Sequence, residues 1–250
     1  MILTYEHIKK HLPLLVKTGD TKTLKRVQEI LKMDQEEYKG YTIKIEPDED
    51  AQNPRTDRDN LGKIICFHKQ YELGDKHNYR SDDFTDWEEL RKQLVKDGAV
   101  VIAPLYLYDH SGLRIKIGSF QGLLPQGHAE FDSGQVGFIV AFAKDIKTEF
   151  PNVKKISQKI KDHVGVILEQ EVSTYDQYLS GDVWGYRIEN DKVDQIEDIV
   201  DWSCWGFYGY NYCLEEAKNA VDTIEKATQE AREARTKKYI KSQVPLVYRT

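Results

Sequence analysis

No run of apolar residues in this chain approaches the roughly 20 that a membrane-spanning helix needs, so no such helix is expected. The first residues, Met1-Ile2-Leu3-Thr4-Tyr5-Glu6, lack the basic-then-apolar order of a secretory leader. Cysteine is scarce. Cys66, Cys204 and Cys213 are odd in number and show no metal-ligand spacing. They read as reduced, buried thiols of a cytoplasmic protein. A basic excess is also missing: 36 Lys and Arg stand against 42 Asp and Glu, a net charge of −6. That argues against a general nucleic-acid binder and is too mild to mark a mimic of DNA. No phosphate-binding loop or zincin helix occurs, and no other catalytic signature is complete. No cofactor and no metal site is expected.

What is present is enough for a core. The chain has 250 residues, 11% of them aromatic, with 15 tyrosines. Residues 5–38 read as two helices. Ile8, Leu12, Leu15 and Val16 recur at helical spacing around Pro13, and Leu24, Val27, Ile30 and Leu31 form a second stripe behind a Thr21 cap. Tyr41 to Ile45 alternates as a strand, and the polar stretch Glu46 to Asn60 reads as a loop or linker. Trp87, Leu90 and Leu94 share one face of a helix that Gly98 stops. Ala99 to Tyr108 and Arg114 to Ile117 read as a hairpin. Gln135 to Phe142 is apolar on both faces, so a strand covered on both sides is expected. A long helix from about Val153 to Tyr178 ends at Ser180-Gly181, and strands follow near 183–189 and 193–208. The last helix, about 212–241, has a stripe of mostly alanines. So narrow a stripe projects, or packs on a partner helix such as that of a second copy. The expected class is α+β, with a mainly antiparallel sheet flanked by helices. The expected parts are an N-terminal helical hairpin (1–40), a core domain (41–210) and a long C-terminal helix with its tail (211–250).

Several groups of residues suit chemistry, and each also has a structural reading. Asp132-Ser133-Gly134 can turn the chain into the central strand, and Gly137 permits close approach of a ligand or another strand. Asp176 and Asp182 bracket a helix-to-strand corner. With Asp132 they can hold a divalent ion or share a proton, or they can serve the backbone of the turn. Cys204 is a nucleophile if His110 or His128 reaches it, and otherwise a small hydrophobe. The aromatics from Trp202 through Trp205, Phe207 and Tyr208 to Tyr210 can stack on bases or fill a core. His7 and His11 have chelating spacing, but no third ligand is assigned. Asp182, Glu189, Asp191, Asp194, Glu197, Asp198 and Asp201 crowd one segment, and such an acidic face can dock on a basic groove of another protein. Lys144, Lys147, Lys154, Lys155, Lys159 and Lys161 make an opposite patch. The two patches can face each other or simply face solvent.

Three segments occur in order: Asp132-Ser133-Gly134-Gln135-Val136-Gly137-Phe138, then Tyr175-Asp176-Gln177-Tyr178-Leu179 with Gly181-Asp182-Val183 and Gly185-Tyr186, then Ser203-Cys204-Trp205-Gly206-Phe207-Tyr208-Gly209. Together they resemble segments of an uncharacterised family of small proteins encoded by bacteriophages, plasmids and integrated elements. The resemblance spans about residues 100–210 and implies a genetic setting rather than an activity. Small proteins in that setting often bind host machinery, including restriction and CRISPR nucleases. The function expected first is therefore a mobile-element accessory protein that binds a host protein and inhibits a defence nuclease. An enzyme acting on nucleotides or nucleic acid, through metal or Cys204, is the second expectation. A module binding single-stranded nucleic acid is the third.

Overall fold

A computed structural model describes residues 35–110, 112–123, 132–190 and 202–243. Most of the expected N-terminal hairpin lies outside them. Its last turn is corrected, because Gln35–Tyr38 is a strand, β1. The described elements are α+β, with two four-stranded sheets rather than one. Contacts cluster in two compact units, residues 50–183 and residues 1–49 together with 184–250.

The unit of residues 50–183 is built on β3 (Lys63–Cys66), β4 (Ala99–Asp109), β5 (Leu113–Ile117) and β6 (Ser133–Phe142). Their order is β3-β6-β4-β5, and all neighbours are antiparallel. β6 is an inner strand, as its composition predicts, and β4 is the other. Phe138 and Val140 pack with Leu90 and Leu94 of α1 (Trp87–Lys96). Ile139 and Ala141 pack on the other face with Val164, Leu168 and Val172 of α3 (Gln158–Ser180). A short helix, α2 (Ala143–Glu149), follows β6 directly and adds Ile146 to that second cluster. Val136 departs from strict alternation. The register slips between the Leu105–Gly137 and Tyr106–Gln135 pairs, so Val136 is the extra residue of a bulge and joins the α3 face.

Local chemistry explains the helix ends. Asp86 caps α1 by accepting from the Glu89 N–H at 2.8 Å, and Glu89 reaches back to the Thr85 N–H at 2.7 Å. α3 ends at Gly181 in the left-handed conformation, φ 72°. Gly137 is required by close approach: a Cβ there would lie 2.9 Å from the Ile65 carbonyl carbon, and its oxygen would be nearer still. Of the two readings of this glycine, the backbone of a neighbouring strand accounts for it.

The second unit has β1, β2 (Tyr41–Pro47), β7 (Val183–Glu189, whose residues from Trp184 belong here) and β8 (Ser203–Tyr208), in that order across its sheet. Lys39 and Gly40 both have positive φ, 53° and 85°, as a two-residue hairpin turn between β1 and β2 demands. Tyr41, Ile43 and Ile45 point to one face, where α4 (Tyr210–Gln243) covers them with Cys213, Ala217, Val221 and Ile224. Ala217, Val221 and Ile224 belong to the stripe read from the sequence; Cys213 joins them in the core beside the half-buried Leu214, whereas Ala227, Ala231 and Ala234 are exposed. None of the described helices is long and apolar enough to cross a membrane.

Candidate functional site

The stretch read as a linker carries the most heavily hydrogen-bonded side chain among the described residues. Arg55 is the buried charged residue of the described chain, 8% exposed. Its Nε donates to Asp75 Oδ1 at 3.0 Å and its Nη2 to Asp75 Oδ2 and to the Gly62 carbonyl at 2.7 Å. Its Nη1 donates to Asn60 Oδ1 at 2.9 Å and to Glu171 Oε2 at 3.1 Å. The carboxylates are bonded in turn. Asp75 accepts from the Ile64 N–H at 2.7 Å, and Glu171 from the Leu61 N–H at 2.8 Å. Burial alone would lower the guanidinium pKa. The hydrogen bonds and charge of Asp75, then of Glu171, outweigh that and shift it upward, so Arg55 stays charged.

This hub pins two segments that have no repeating structure. One is residues 53–62, where Asn60 Nδ2 also donates to the carbonyls of Pro54 at 2.9 Å and Arg58 at 2.8 Å. The other is residues 73–77, where the Gly74 N–H donates to the Tyr175 hydroxyl at 3.0 Å. Loops fixed in this way by a rigid scaffold are where binding residues concentrate.

Beside the hub opens a cleft of about 870 Å³. Its walls bring together Arg58, Lys63, Lys76 and Lys144 with Asp59, Asp97 and Asp145, and the rings of His77, Tyr79 and Phe142. Lys144 sits over the Phe142 ring, 5.9 Å from its centroid. Tyr79 donates its hydroxyl to Asp97 at 2.8 Å, and burial, helped by that carboxylate, pushes the phenol up to about 12. His77 packs edge-on against Phe67, which stacks on Trp87. Its Nε2 lies 3.3 Å from the Cys66 carbonyl, an acceptor, so that nitrogen carries the proton. Nδ1 is then left as an acceptor, buried and with no hydrogen-bond partner among the described residues.

The residues singled out from sequence fall elsewhere. Asp176 receives Arg114 in a two-pronged pair, from Nε at 3.0 Å and Nη2 at 2.7 Å, and the Ile115 N–H at 2.7 Å. It ties α3 to β5. Asp182 adds to the charge around Arg114, whose pKa is raised chiefly by its bond to Asp176. Asp132 meets His110 instead, Oδ2 to Nδ1 at 3.2 Å, with His110 stacked on Tyr108. No group of three or more His, Cys, Asp or Glu among the described residues is placed to hold a metal ion, so Asp132, Asp176 and Asp182 do not form the cluster that metal chemistry would need.

Cys66 and Cys213 are buried as expected, and burial pushes both thiols up to about 12. Cys204 is exposed, which corrects the expectation that all three are buried. Cys204 and His110 belong to different units. His128, His7 and His11 lie outside the described residues, as do Asp191, Asp194, Glu197, Asp198 and Asp201 of the acidic segment. Of that segment, Glu189 pairs with Lys44 at 2.6 Å, and Asp182 is engaged within the chain.

The aromatics divide. Trp202, Phe207 and Tyr210 pack against the α4 core, with Phe207 stacked on Tyr186 at 5.4 Å. Tyr208 is half-buried. Trp205 is 40% exposed. Its ring lies on Gly185, where a Cβ would come within 2.7 Å of Cζ3, and the Arg187 guanidinium is 5.8 Å from the ring centroid. Tyr212, beyond the stretch singled out from sequence, is 54% exposed and lies edge-on to Phe207 at 5.9 Å.

Sequence reasoning passed over Arg55, Asn60, Asp75 and Glu171. Residue type marks none of them, and the Arg55–Glu171 bond joins positions 116 apart. Comparison of the chain with models of known families, with curated proteins and with solved structures finds no match.

Proposed function

We propose that the protein is an accessory protein of a mobile genetic element that works by binding a host protein, with a defence nuclease of the CRISPR or restriction type as the partner class. The genetic setting comes from the segment resemblance. The observation that carries the binding role is the second half of α4. Ile224 is the last α4 residue in the core, and beyond it every position to Gln243 is exposed except the half-buried Thr228. The helix continues for roughly 28 Å past Ile224, at 1.5 Å per residue. It carries Tyr239 and Ile240 there at 67% and 59% exposure. An aromatic and an aliphatic side chain exposed side by side on a helix end give a partner apolar surface to bury.

The test is affinity purification of the tagged full chain from its natural bacterial host, followed by a cleavage assay on any nuclease recovered. Stoichiometric inhibition, weakened by Tyr239→Asp with Ile240→Asp, supports the reading. Recovery of no defence component, or of a nuclease that cleaves unimpeded with the protein bound, overturns it. Sedimentation of the purified chain separately reads self-association through α4.

A further inference from the structure

We propose that the cleft beside Arg55 is a binding site for a nucleoside polyphosphate. Three observations converge on it. First, its wall is built in advance: a buried arginine with four different partners holds loops 53–62 and 73–77, and their residues line the cleft. Second, its volume of about 870 Å³ lies in the range of small-molecule sites. Third, its chemistry is mixed in the way a nucleotide is mixed.

Lys63, Lys76 and Lys144 line the cleft, and none of their ammonium groups has a carboxylate within 4 Å among the described residues. Three uncompensated cations on one concavity attract an anion, and phosphate oxygens accept from each. A bare polyphosphate is a poor fit, because Asp59 and Asp145 share the walls. Those carboxylates accept from donors that a bare polyphosphate lacks. Ribose hydroxyls and an exocyclic base amine are donors of that kind. The half-buried rings of Tyr79 and Phe142 supply apolar faces for a base.

The experiment is titration calorimetry of the full chain with ATP, adenosine and tripolyphosphate as probes, at low and at physiological salt. ATP is expected to bind one to one, and adenosine and tripolyphosphate at least about tenfold more weakly, since each keeps one half of the contacts. A variant with Lys63→Gln, Lys76→Gln and Lys144→Gln is expected to lose about 100-fold in ATP affinity while melting as the parent does, because charge-assisted contacts are lost at surface positions. Lys237→Gln with Lys238→Gln and Lys241→Gln, on α4, is expected to leave ATP affinity unchanged. No saturable ATP binding by the parent, retained affinity in the cleft variant, an equal loss in the α4 variant, or tripolyphosphate binding as tightly as ATP would each overturn the proposal. Capture of a host nuclease is read independently, so either result stands or falls alone.

Discussion

Replacing Arg55 with methionine tests the hub most directly. The substitution keeps an unbranched side chain of similar length and removes the guanidinium. Asp75 and Glu171, with side chains 16% and 13% exposed, lose their cation, and Asn60 Oδ1 and the Gly62 carbonyl lose a donor. Breaking a buried ion pair from one side typically costs about 3–5 kcal/mol. The lower end applies here. Both carboxylates keep backbone donors, Ile64 N–H on Asp75 and Leu61 and Gly62 N–H on Glu171. The expected loss is therefore about 3 kcal/mol, confined to the unit of residues 50–183. Native-state hydrogen exchange at the Ile139 and Val140 amides of β6 reads that unit, while amides of Ile43 and Val221 report on the other. Protection at β6 should fall by about two powers of ten, at 1.4 kcal/mol per factor of ten, with the other unit unchanged. Adding Glu171→Gln to Arg55→Met should recover part of the loss, because one stranded charge is removed. A change below about 0.5 kcal/mol, the scale of ordinary surface substitutions, would refute the view that this pair is buried and cohesive.

Four further outcomes follow from the geometry. Cys204 should react with a disulfide reagent at once under native conditions, and Cys66 and Cys213 only as fast as the protein opens. The folded-state pKa of Cys66 is raised from 9.0 to about 12, so its contribution is present below pH 9 and is lost as pH rises toward 12, by up to roughly 4 kcal/mol. Cys66→Ala should flatten the decline of the urea midpoint above pH 9. Gly137→Ala should force β3 away from β6, since the new Cβ has no room beside the Ile65 carbonyl, and should cost at least about 2 kcal/mol in thermal melts. Asp176→Ala removes the link from α3 to Arg114 and to the Ile115 N–H; with Arg114 more than half exposed, solvent screening limits the loss to about 1–2 kcal/mol by urea titration.

What was legible in the sequence was local or periodic. The two-faced apolar run of β6, the Trp87, Leu90 and Leu94 face of a helix read from Asp83 and observed from Trp87, the Gly181 stop and the Ala217, Val221 and Ile224 part of the α4 seam all follow from side-chain direction and backbone preference within a few residues. Two kinds of feature were not legible. One is pairing across the chain: β2 pairs with β7 antiparallel, Ile43 opposite Ile188, over a separation that encloses residues 50–183. Nothing in either strand names its partner, so one sheet was expected where two form. The other is the worth of a polar residue. In the stretch from Glu46 to Asn60, composition argues for solvent, and Glu49, Asp50, Gln52 and Thr56 to Asp59 are exposed. Arg55 is the exception, because Asp75 and Glu171, 20 and 116 positions away, make its burial tolerable.

The same physics bears on where function sits. Asp176 looked like a catalytic carboxylate because it stands at a helix end beside a second acid. Its oxygens are instead taken up by Arg114 and the Ile115 N–H. A carboxylate whose lone pairs are already filled has none to offer a metal or a proton in transit without first losing those bonds. The cleft presents the opposite case. Its hub is saturated, but the ammonium groups of Lys63, Lys76 and Lys144 on its walls have no carboxylate within 4 Å among the described residues. Groups left unsatisfied on a wall whose position costs a buried charge network are the ones a ligand can complete, and that asymmetry separates the cleft from Asp176.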